Sequence, residues 1–420
     1  MNVHIPAGDV CAEVGGLIEI ETASTCAAAY AMPITETETV AIHHAGGRTL
    51  AEDISAELAM PPFDQSAMDG YAVALGDVML PAGTRMPVIG RIAAGQIPKE
   101  LPPGHAARIF TGAPLPLHAN AVLMQEHGWR DGDELVLNRM LRSGENIRRR
   151  GEDIEIGDHL LSRGLRLDAR HIALLSAQGR ASVTLRRRPR VGIISTGNEL
   201  VQPGLPLAEA SIYDSNRPMV MTLAAQAGLE VIDGGCMRDD PNALAVALGE
   251  LSITCDLVVT TGGASVGDED YSATAVARAG GIFETLKIAL KPGKPAVVGR
   301  VGEAAYLGLP GNPVSALVSW LILGGAVVAA LEGRRFQRPS GCPMPAASRF
   351  ERRPGRTEFA PGRLVENSGA PAVEILGRGG SARLRPLVEA DGLVEIHPLH
   401  APVAPGDMIF FHRFRDGFTV

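Results

Sequence analysis

The sequence predicts a multidomain α/β protein: a mostly parallel central sheet, a small β domain inserted before it, and a carboxyl-terminal β domain after it. Three observations predict this. Between residues 190 and 331, four apolar runs each end in, or adjoin, a polar or glycine-rich turn. Helical stretches separate several of these runs, the pattern of buried strands covered on both faces. Outside that region, residues 74–154 and the stretch from Pro343 onward alternate short β-like runs with Gly and Pro and hold no long helix.

In order, residues 1–18 read as a loose leader, and residues 20–31 as an alanine-rich helix stopped by Pro33. Residues 39–50 read as a second helical run, with Val40, Ile42, Ala45 and Leu50 apolar and Gly46-Gly47 interrupting. Residues 51–59 are extended, and FDQSAMDGYAV (63–73) is a polar turn between apolar segments. MPVIG, AARIF, AVLMQE and ELVLNRM are the strands of the inserted domain, which closes with IRRRGEDI (147–154). A helix around residues 168–178 follows, with His171 as a packing residue rather than a metal ligand, and then the strand ASVTL.

The central runs are residues 191–194, 256–259, 295–298 and 305–309. Their turns read STGNEL (195–200), TTGGASVGDED (260–270), KPGKP (291–295) and PGNPVSA (310–316). Sheets of this kind bind ligands at the carboxyl ends of their strands, where these turns fall. Residues 218–227, 243–251 and 271–279 are the intervening helices. Residues 304–331 carry no charge, but Pro310 to Pro313 break the run. What remains is barely long enough to cross a membrane, so it reads as a helix buried against the sheet, capped near Asn312 with Pro313 in its first turn. RTEFAPGRLV, AVEILG, GLVEIHPL and DMIFFHRF supply the last domain.

A chain of 420 residues can bury several cores. Its net charge of -8 gives no support to nucleic-acid binding. The five cysteines form no CxxC pair and suit buried thiols in a reducing, cytoplasmic setting. The first basic residue is Arg48, so no secretory leader is expected.

At FDQSAMDGYAV, RIFTGAPLP, NIRRRGEDI, VGIISTGNELVQPG, TTGGASVGDEDY, KIALKPGKP and GLPGNPVSA, the chain resembles the molybdopterin molybdenumtransferase family, shared with the carboxyl-terminal domain of gephyrin. The resemblance runs from about residue 19 to 415. It implies a framework domain from 19–60 and 155–188, an inserted β domain at 61–154, a three-layer molybdopterin-binding α/β domain at 189–335, and a β domain at 336–420. The activity it implies is insertion of molybdenum from molybdate into adenylylated molybdopterin, with release of AMP and assistance from Mg2+. The implied assembly is a homodimer whose cleft uses both chains, without membrane insertion. Contacts with molybdopterin adenylyltransferase and with cofactor-accepting proteins belong to the same expectation.

Such substrates are anions, so charge compensation and hard oxygen ligands are needed. The resemblance marks Asp69, Asp153, Glu199 and Asp270 as catalytic, and Glu199, Asp268 and Asp270 as metal ligands. Gly262 and Gly263 permit a tight turn whose amides approach phosphate, with Thr196 and Ser265 as hydroxyl donors. Lys291 and Lys294 offer positive charge from a proline-constrained turn. Gly311 and Asn312 offer helix-end amides, Asn312 equally reading as a cap. Asp214, Ser215 and Asn216 either recognise a polar part of the ligand or build the loop and cap its helix. Asp239 and Asp240 either cap the next helix or support the site. Ser66, Thr111 and Ser381 complete the substrate-binding set that the resemblance implies, while Arg148 to Arg150 suit an internal salt-bridge network as well as substrate. Asn198 stands where the family commonly has Asp, so no acidic role is expected there. His118 and Asn120 depart from the family's usual turn. Adenylyl transfer, pyrophosphate cleavage and a non-enzymatic scaffold are the competing readings; the DQSAMDGYA and KPGKP motifs distinguish the chain from the first two, and its acids and lysines from the third.

Overall fold

The computed structural model describes residues 16–76, 78–263, 271–338, 340–367, 369–377 and 380–414. The chain divides into two compact units. The larger takes in residues up to 40, residues 45–51 and everything from 184 onward; the smaller takes 41–44 and 52–183.

In the larger unit the central elements are β1 (Arg190–Thr196), α1 (Asn216–Gln226), β2 (Glu230–Met237), α2 (Pro241–Thr254) and β3 (Leu257–Thr261). They continue with α3 (Tyr271–Arg278), β4 (Ile282–Lys287), β5 (Pro295–Val301), β6 (Ala304–Leu309) and α4 (Pro313–Leu331). The sheet order is β2-β1-β3-β6-β5-β4. The first four strands are parallel, and β5 and β4 join antiparallel. Val297 pairs with Gly308, so the start of β5 lies at the carboxyl end of β6. The KPGKP turn therefore reaches the same edge as the turns that follow β1, β3 and β6.

Alternate side chains serve two cores. Val191, Ile193, Leu257, Val259, Leu307 and Leu309 pack with α1, α4 and the helix Ile20–Ala29. Ile194, Val258 and Tyr306 pack with α2 and α3. Burial on both faces is why these strands read as continuous apolar runs. The long α4 is 89% buried over its most apolar window. It is a core helix, and its middle, Trp320–Gly324, widens into a π turn.

The carboxyl-terminal sheet is built from Cys342–Pro345, Thr357–Asn367, Ala370–Ile375, Gly392–Ile396 and Met408–Arg413. A two-residue strand, Leu290–Lys291, joins its edge parallel to Thr357–Asn367. The smaller unit holds a six-stranded sheet in the order Ala121–Met124, Gly70–Val73, Ala106–Ile109, Arg85–Ile92, Glu134–Leu137 and Gly128–Asp131. Its helix Ala169–Ala177 is capped by Asp168, and His171 Nδ1 accepts from the Asp168 amide at 2.9 Å. That bond gives His171 its capping role.

Several expectations need correction. Residues 39–50 are not a helix: Thr37–Ala41 is a strand and Ile42–His44 a single 3-10 turn. The β-branched run Thr37, Thr39 and Val40 favours extension, and Gly47 takes a φ of 73° that ends any helical path. Strands β2 and β4 add two members to the four expected. The helix Ile20–Ala29 packs in the core of the central sheet. There the Ile34 amide bonds Leu331 O at 2.8 Å. Among the thiols, Cys255 is buried but Cys342 is exposed.

Candidate functional site

The ends of β1, β3 and β6 gather the STGNEL, TTGG and PGNP turns around a cleft of about 300 Å³. Thr196, Gly197, Glu199, Asp214, Ser215, Asn216, Asp239, Gly262, Gly263 and Gly311 line it. Gly262 is required: its φ is 94°, and a Cβ there would lie 2.2 Å from the Thr196 carbonyl oxygen. Backbones of two strand ends meet at that point, which only glycine permits.

Three buried polar atoms on this cleft have no hydrogen-bond partner among the described residues: Thr196 Oγ1, Thr261 Oγ1 and Asn216 Oδ1. A buried hydroxyl or carbonyl left unpaired is costly, so these atoms suit a bound polar ligand. Asn216 is fixed by its other amide atom, Nδ2 donating to Gly311 O at 2.7 Å. Asp214 is different. It is 1% exposed and accepts from Ser195 Oγ, the Arg217 amide and Arg217 Nε. Arg217 also donates to Asp233. Burial opposes the charge on its guanidinium, but the bonds to Asp233 and Asp214 prevail and hold it above its ordinary pKa. Asp214 thus builds the wall of the cleft, and its amide bond to Arg217 serves the start of α1.

Asp240 caps α2, accepting from Asn242 N at 2.8 Å, with Pro241 in the first turn. Asp239 faces the cleft. Its Oδ2 accepts from the Asn198 amide at 3.1 Å, and its own amide donates to Asn198 Oδ1 at 3.3 Å. Asn198 therefore joins two strand ends. Glu199 is exposed, its carboxylate folded back over Gly197. Ser265, Asp268 and Asp270 lie outside the described residues.

A second cavity, about 690 Å³, opens between the central and carboxyl-terminal sheets and shares Gly311 with the cleft. Lys291, Lys294, Asn312, Ser315, Arg356, Glu358 and Ser381 line it. The lysine turn is clamped at both ends. Lys291 pairs with Glu358 in one sheet, and Pro295 begins β5 in the other. Arg356 Nη1 donates to Leu290 O at 3.1 Å, and Gly293 packs over Ser319 at the π turn of α4. Lys294 is exposed, with no carboxylate partner among the described residues. Asn312 occupies the N-cap of α4 but makes no side-chain cap bond. Ser381 is held by its backbone, its carbonyl accepting from Val314 N at 3.0 Å.

In the smaller unit, three motifs distant in sequence are joined by backbone bonds. Ser66 pairs with Ile147 and Gln65 with Arg148, while Ser66 and Gly112–Ala113 exchange amide bonds. Ser66 is fully buried, and its hydroxyl donates to Met68 O at 2.6 Å. Asp69 Oδ1 accepts from both the amide and the hydroxyl of Thr111, each at 2.8 Å. The Thr111 amide first, then its hydroxyl, hold the Asp69 carboxyl below its ordinary pKa. Asp153 is exposed beside Arg148 on a separate cavity of about 710 Å³. Arg149 pairs with Asp64 at 2.6 Å, the internal salt bridge weighed for this loop. The departure at Asn120 is absorbed locally: Oδ1 accepts from Leu75 N and Nδ2 donates to Gly76 O.

Sequence reasoning missed Thr261 and Glu358. Thr261 closes an apolar strand just before Gly262-Gly263, a position from which its hydroxyl could have been suspected. Glu358 carried no local signal, because its partner Lys291 lies 67 residues away.

Fold and site together define a multidomain α/β protein with a polar cleft at the edge of a mostly parallel sheet, extended by β domains. Family models match in sequence: "MoeA N-terminal region (domain I and II)" over residues 18–179, "Probable molybdopterin binding domain" over 192–329, and "MoeA C-terminal region (domain IV)" over 343–414. Molybdopterin molybdenumtransferase of Haemophilus influenzae is 35% identical over 90% of this chain and 94% of its own length. Molybdopterin molybdenumtransferase 2 of Mycobacterium tuberculosis is 35% identical over 88% and 93%. A molybdopterin biosynthesis MoeA protein of Pyrococcus horikoshii superposes with a TM-score of 0.78 at 28% identity, covering 94% of this chain and 99% of that one. The chain belongs to the MoeA family of molybdopterin molybdenumtransferases, and is an enzyme of molybdenum cofactor biosynthesis.

Proposed function

We propose that the enzyme transfers molybdenum from molybdate to adenylylated molybdopterin, with AMP leaving as the cofactor forms. One observation carries this reading: a cleft with unpaired buried hydrogen-bonding atoms shares Gly311 with a lysine-lined cavity. The cleft suits the phosphate-bearing organic substrate, with Thr196, Thr261 and Asn216 satisfied on binding. The cavity suits a small oxyanion beside Lys294, Lys291 and Ser381.

Glu199 and Asp239 border the cleft and offer hard carboxylate oxygens, a donor set that fits Mg2+. The bound ion would supply charge neutralisation at the departing phosphate. The chain's own residues orient the phosphates through the Gly262-Gly263 turn. Asp268 and Asp270 are proposed to complete that set. Asp69, Thr111 and Asp153 are proposed to act on the same reaction from the smaller unit, across a homodimer. In this reading the enzyme works in the cytoplasm and meets molybdopterin adenylyltransferase and cofactor-accepting proteins.

The test supplies purified protein with adenylylated molybdopterin, molybdate and magnesium, and assays AMP together with reconstitution of an apo-molybdoenzyme. Molybdate-dependent formation of both products is expected. Activity on free molybdopterin plus ATP, with none on the adenylylated form, would mark an adenylyltransferase instead. Lys294→Ala should weaken molybdate binding about tenfold at low ionic strength and less at high salt. Isothermal titration at two salt concentrations checks it, and unchanged affinity would return KPGKP to a structural turn.

A further inference from the structure

The cavity that holds the lysine turn also contains an acid. Glu358 is 6% exposed and stands opposite Lys291 in the paired strands. Its Oε1 lies 2.9 Å from Lys291 Nζ. Its Oε2 lies 3.0 Å from Arg352 Nε, close enough for charge pairing, although neither of these two buried atoms makes a hydrogen bond among the described residues. The two cations differ. The Arg352 side chain is fully buried and spends its other donors on the carbonyls of His397, at 2.7 Å, His400, at 3.1 Å, and Arg356, at 2.5 Å. It cannot leave. The Lys291 side chain is 44% exposed, lines the open cavity, and has Glu358 as its only ion-pair partner among the described residues.

We propose that Glu358 is an internal competitor for the oxyanion: it occupies Lys291 until a tetrahedral dianion of the molybdate class draws that lysine away. This rests on the reading that the lysine cavity receives the oxyanion substrate. When Lys291 turns to the incoming anion, Glu358 still faces the buried Arg352 guanidinium at 3.0 Å, so exchange does not leave the carboxylate without a countercharge. Transfer of one flexible ammonium between two acceptors is the whole of the movement. The arrangement sets a threshold, because an anion must outbid a carboxylate already 2.9 Å from the lysine. A weakly charged anion gains too little from Lys291 to offset its repulsion by Glu358, whereas a dianion gains more. Glu358 is thus a specificity-determining residue that acts through Lys291.

The experiment titrates sodium molybdate into wild-type protein, Glu358→Gln, Lys291→Met and the double variant by calorimetry at fixed ionic strength. Glu358→Gln is expected to bind molybdate about fivefold more tightly. The same substitution in the Lys291→Met background is expected to give a much smaller gain, since no lysine remains to be released. Thermal melting establishes that each variant is folded. If Glu358→Gln unfolds, Glu358→Asp serves: it keeps the charge for Arg352 but retracts it from Lys291, and should also tighten binding. Molybdate binding by wild type that the folded Glu358 variant leaves unchanged, or weakens, overturns the role of Glu358 and leaves the cavity reading standing. An equal gain with and without Lys291 overturns it too, reducing Glu358 to a general repulsive charge. If no form binds molybdate, the cavity reading falls and this role falls with it.

Discussion

The edge of the central sheet and the turn cluster of the smaller unit both gather polar residues from distant stretches, but they satisfy them differently. At the sheet edge, the Thr196 and Thr261 hydroxyls and the Asn216 carbonyl are buried without partners among the described residues. In the turn cluster, Asp69 already holds two bonds from Thr111, and Asp64 is matched by Arg149 and the Arg150 amide. The first region leaves hydrogen-bonding capacity unused among the described residues; in the second, Asp69 and Asp64 are already bonded. The reason lies in how each is built. Parallel strand ends project side chains into a crevice at the carboxyl edge of the sheet. Turns joined by backbone bonds close on themselves, so their acids are oriented before any ligand arrives.

The largest test of this contrast is a pair of glycine substitutions. Gly262→Ala would set a Cβ 2.2 Å from the Thr196 backbone oxygen at a φ of 94°. A loss of about 3 kcal/mol or more in the stability of the larger unit is expected. Gly112→Ala, beside Thr111, meets nothing within 4 Å at a φ of 79° and should cost only about 1 kcal/mol. Urea unfolding followed by a probe in each unit measures both. Equal losses would mean that the two turns are held equally tightly.

How far this could be read in the sequence follows from burial. The four runs at 191–194, 256–259, 295–298 and 305–309 became β1, β3, β5 and β6 because both their faces are covered. Strands β2 and β4 lie at the sheet edges and are partly exposed, so polar residues interrupt EVIDGGCM and IFETLK and no apolar run marks them. Residues 39–50 read as a helix on apolar content alone; the i,i+2 spacing of Val40 and Ile42 is that of a strand, and it carried the better signal together with Gly46-Gly47. The resemblance supplied Asp69 and Thr111 as separate residues. Their bond spans 42 positions and required the fold. The clamp on Lys291 was equally hidden, because strand pairing between two domains leaves no local pattern.

A second test inverts the usual sign of a substitution. Thr261 is 1% exposed, β-branched and at a strand end, so valine preserves both its shape and its strand preference. Removing an unpaired buried hydroxyl should leave the ligand-free protein equally stable, or stabilise it by up to about 1 kcal/mol. The stabilisation conferred by adenylylated molybdopterin should shrink at the same time. Thermal melts with and without that ligand give both quantities. Destabilisation of the ligand-free protein would show that the hydroxyl is already paired, and would erase the contrast between the two regions.

The smallest expected effect lies in the turn cluster, at Thr111→Val. The Asp69 carboxyl sits below its ordinary pKa, chiefly because of the Thr111 amide and then the Thr111 hydroxyl, with Arg108 adding a weaker attraction and desolvation opposing them. Valine keeps the amide and removes the hydroxyl, so the pKa should rise only part of the way to its ordinary value. The sign follows from which state holds the proton. A carboxyl depressed by folding contributes stability above its unfolded pKa and loses it as pH falls through the folded value. In the variant that loss should be smaller and complete at a higher pH than in the wild type, with both carboxyls ionised at neutrality. Little change is therefore expected in the charge state at pH 7, and a visible change only in acid. Carbon-detected NMR of Asp-labelled protein between pH 2 and 6 follows the carboxyl directly and does not depend on the reaction. A titration of Asp69 unmoved by Thr111→Val would mean that the amide alone sets it, and that the hydroxyl is free to contact substrate.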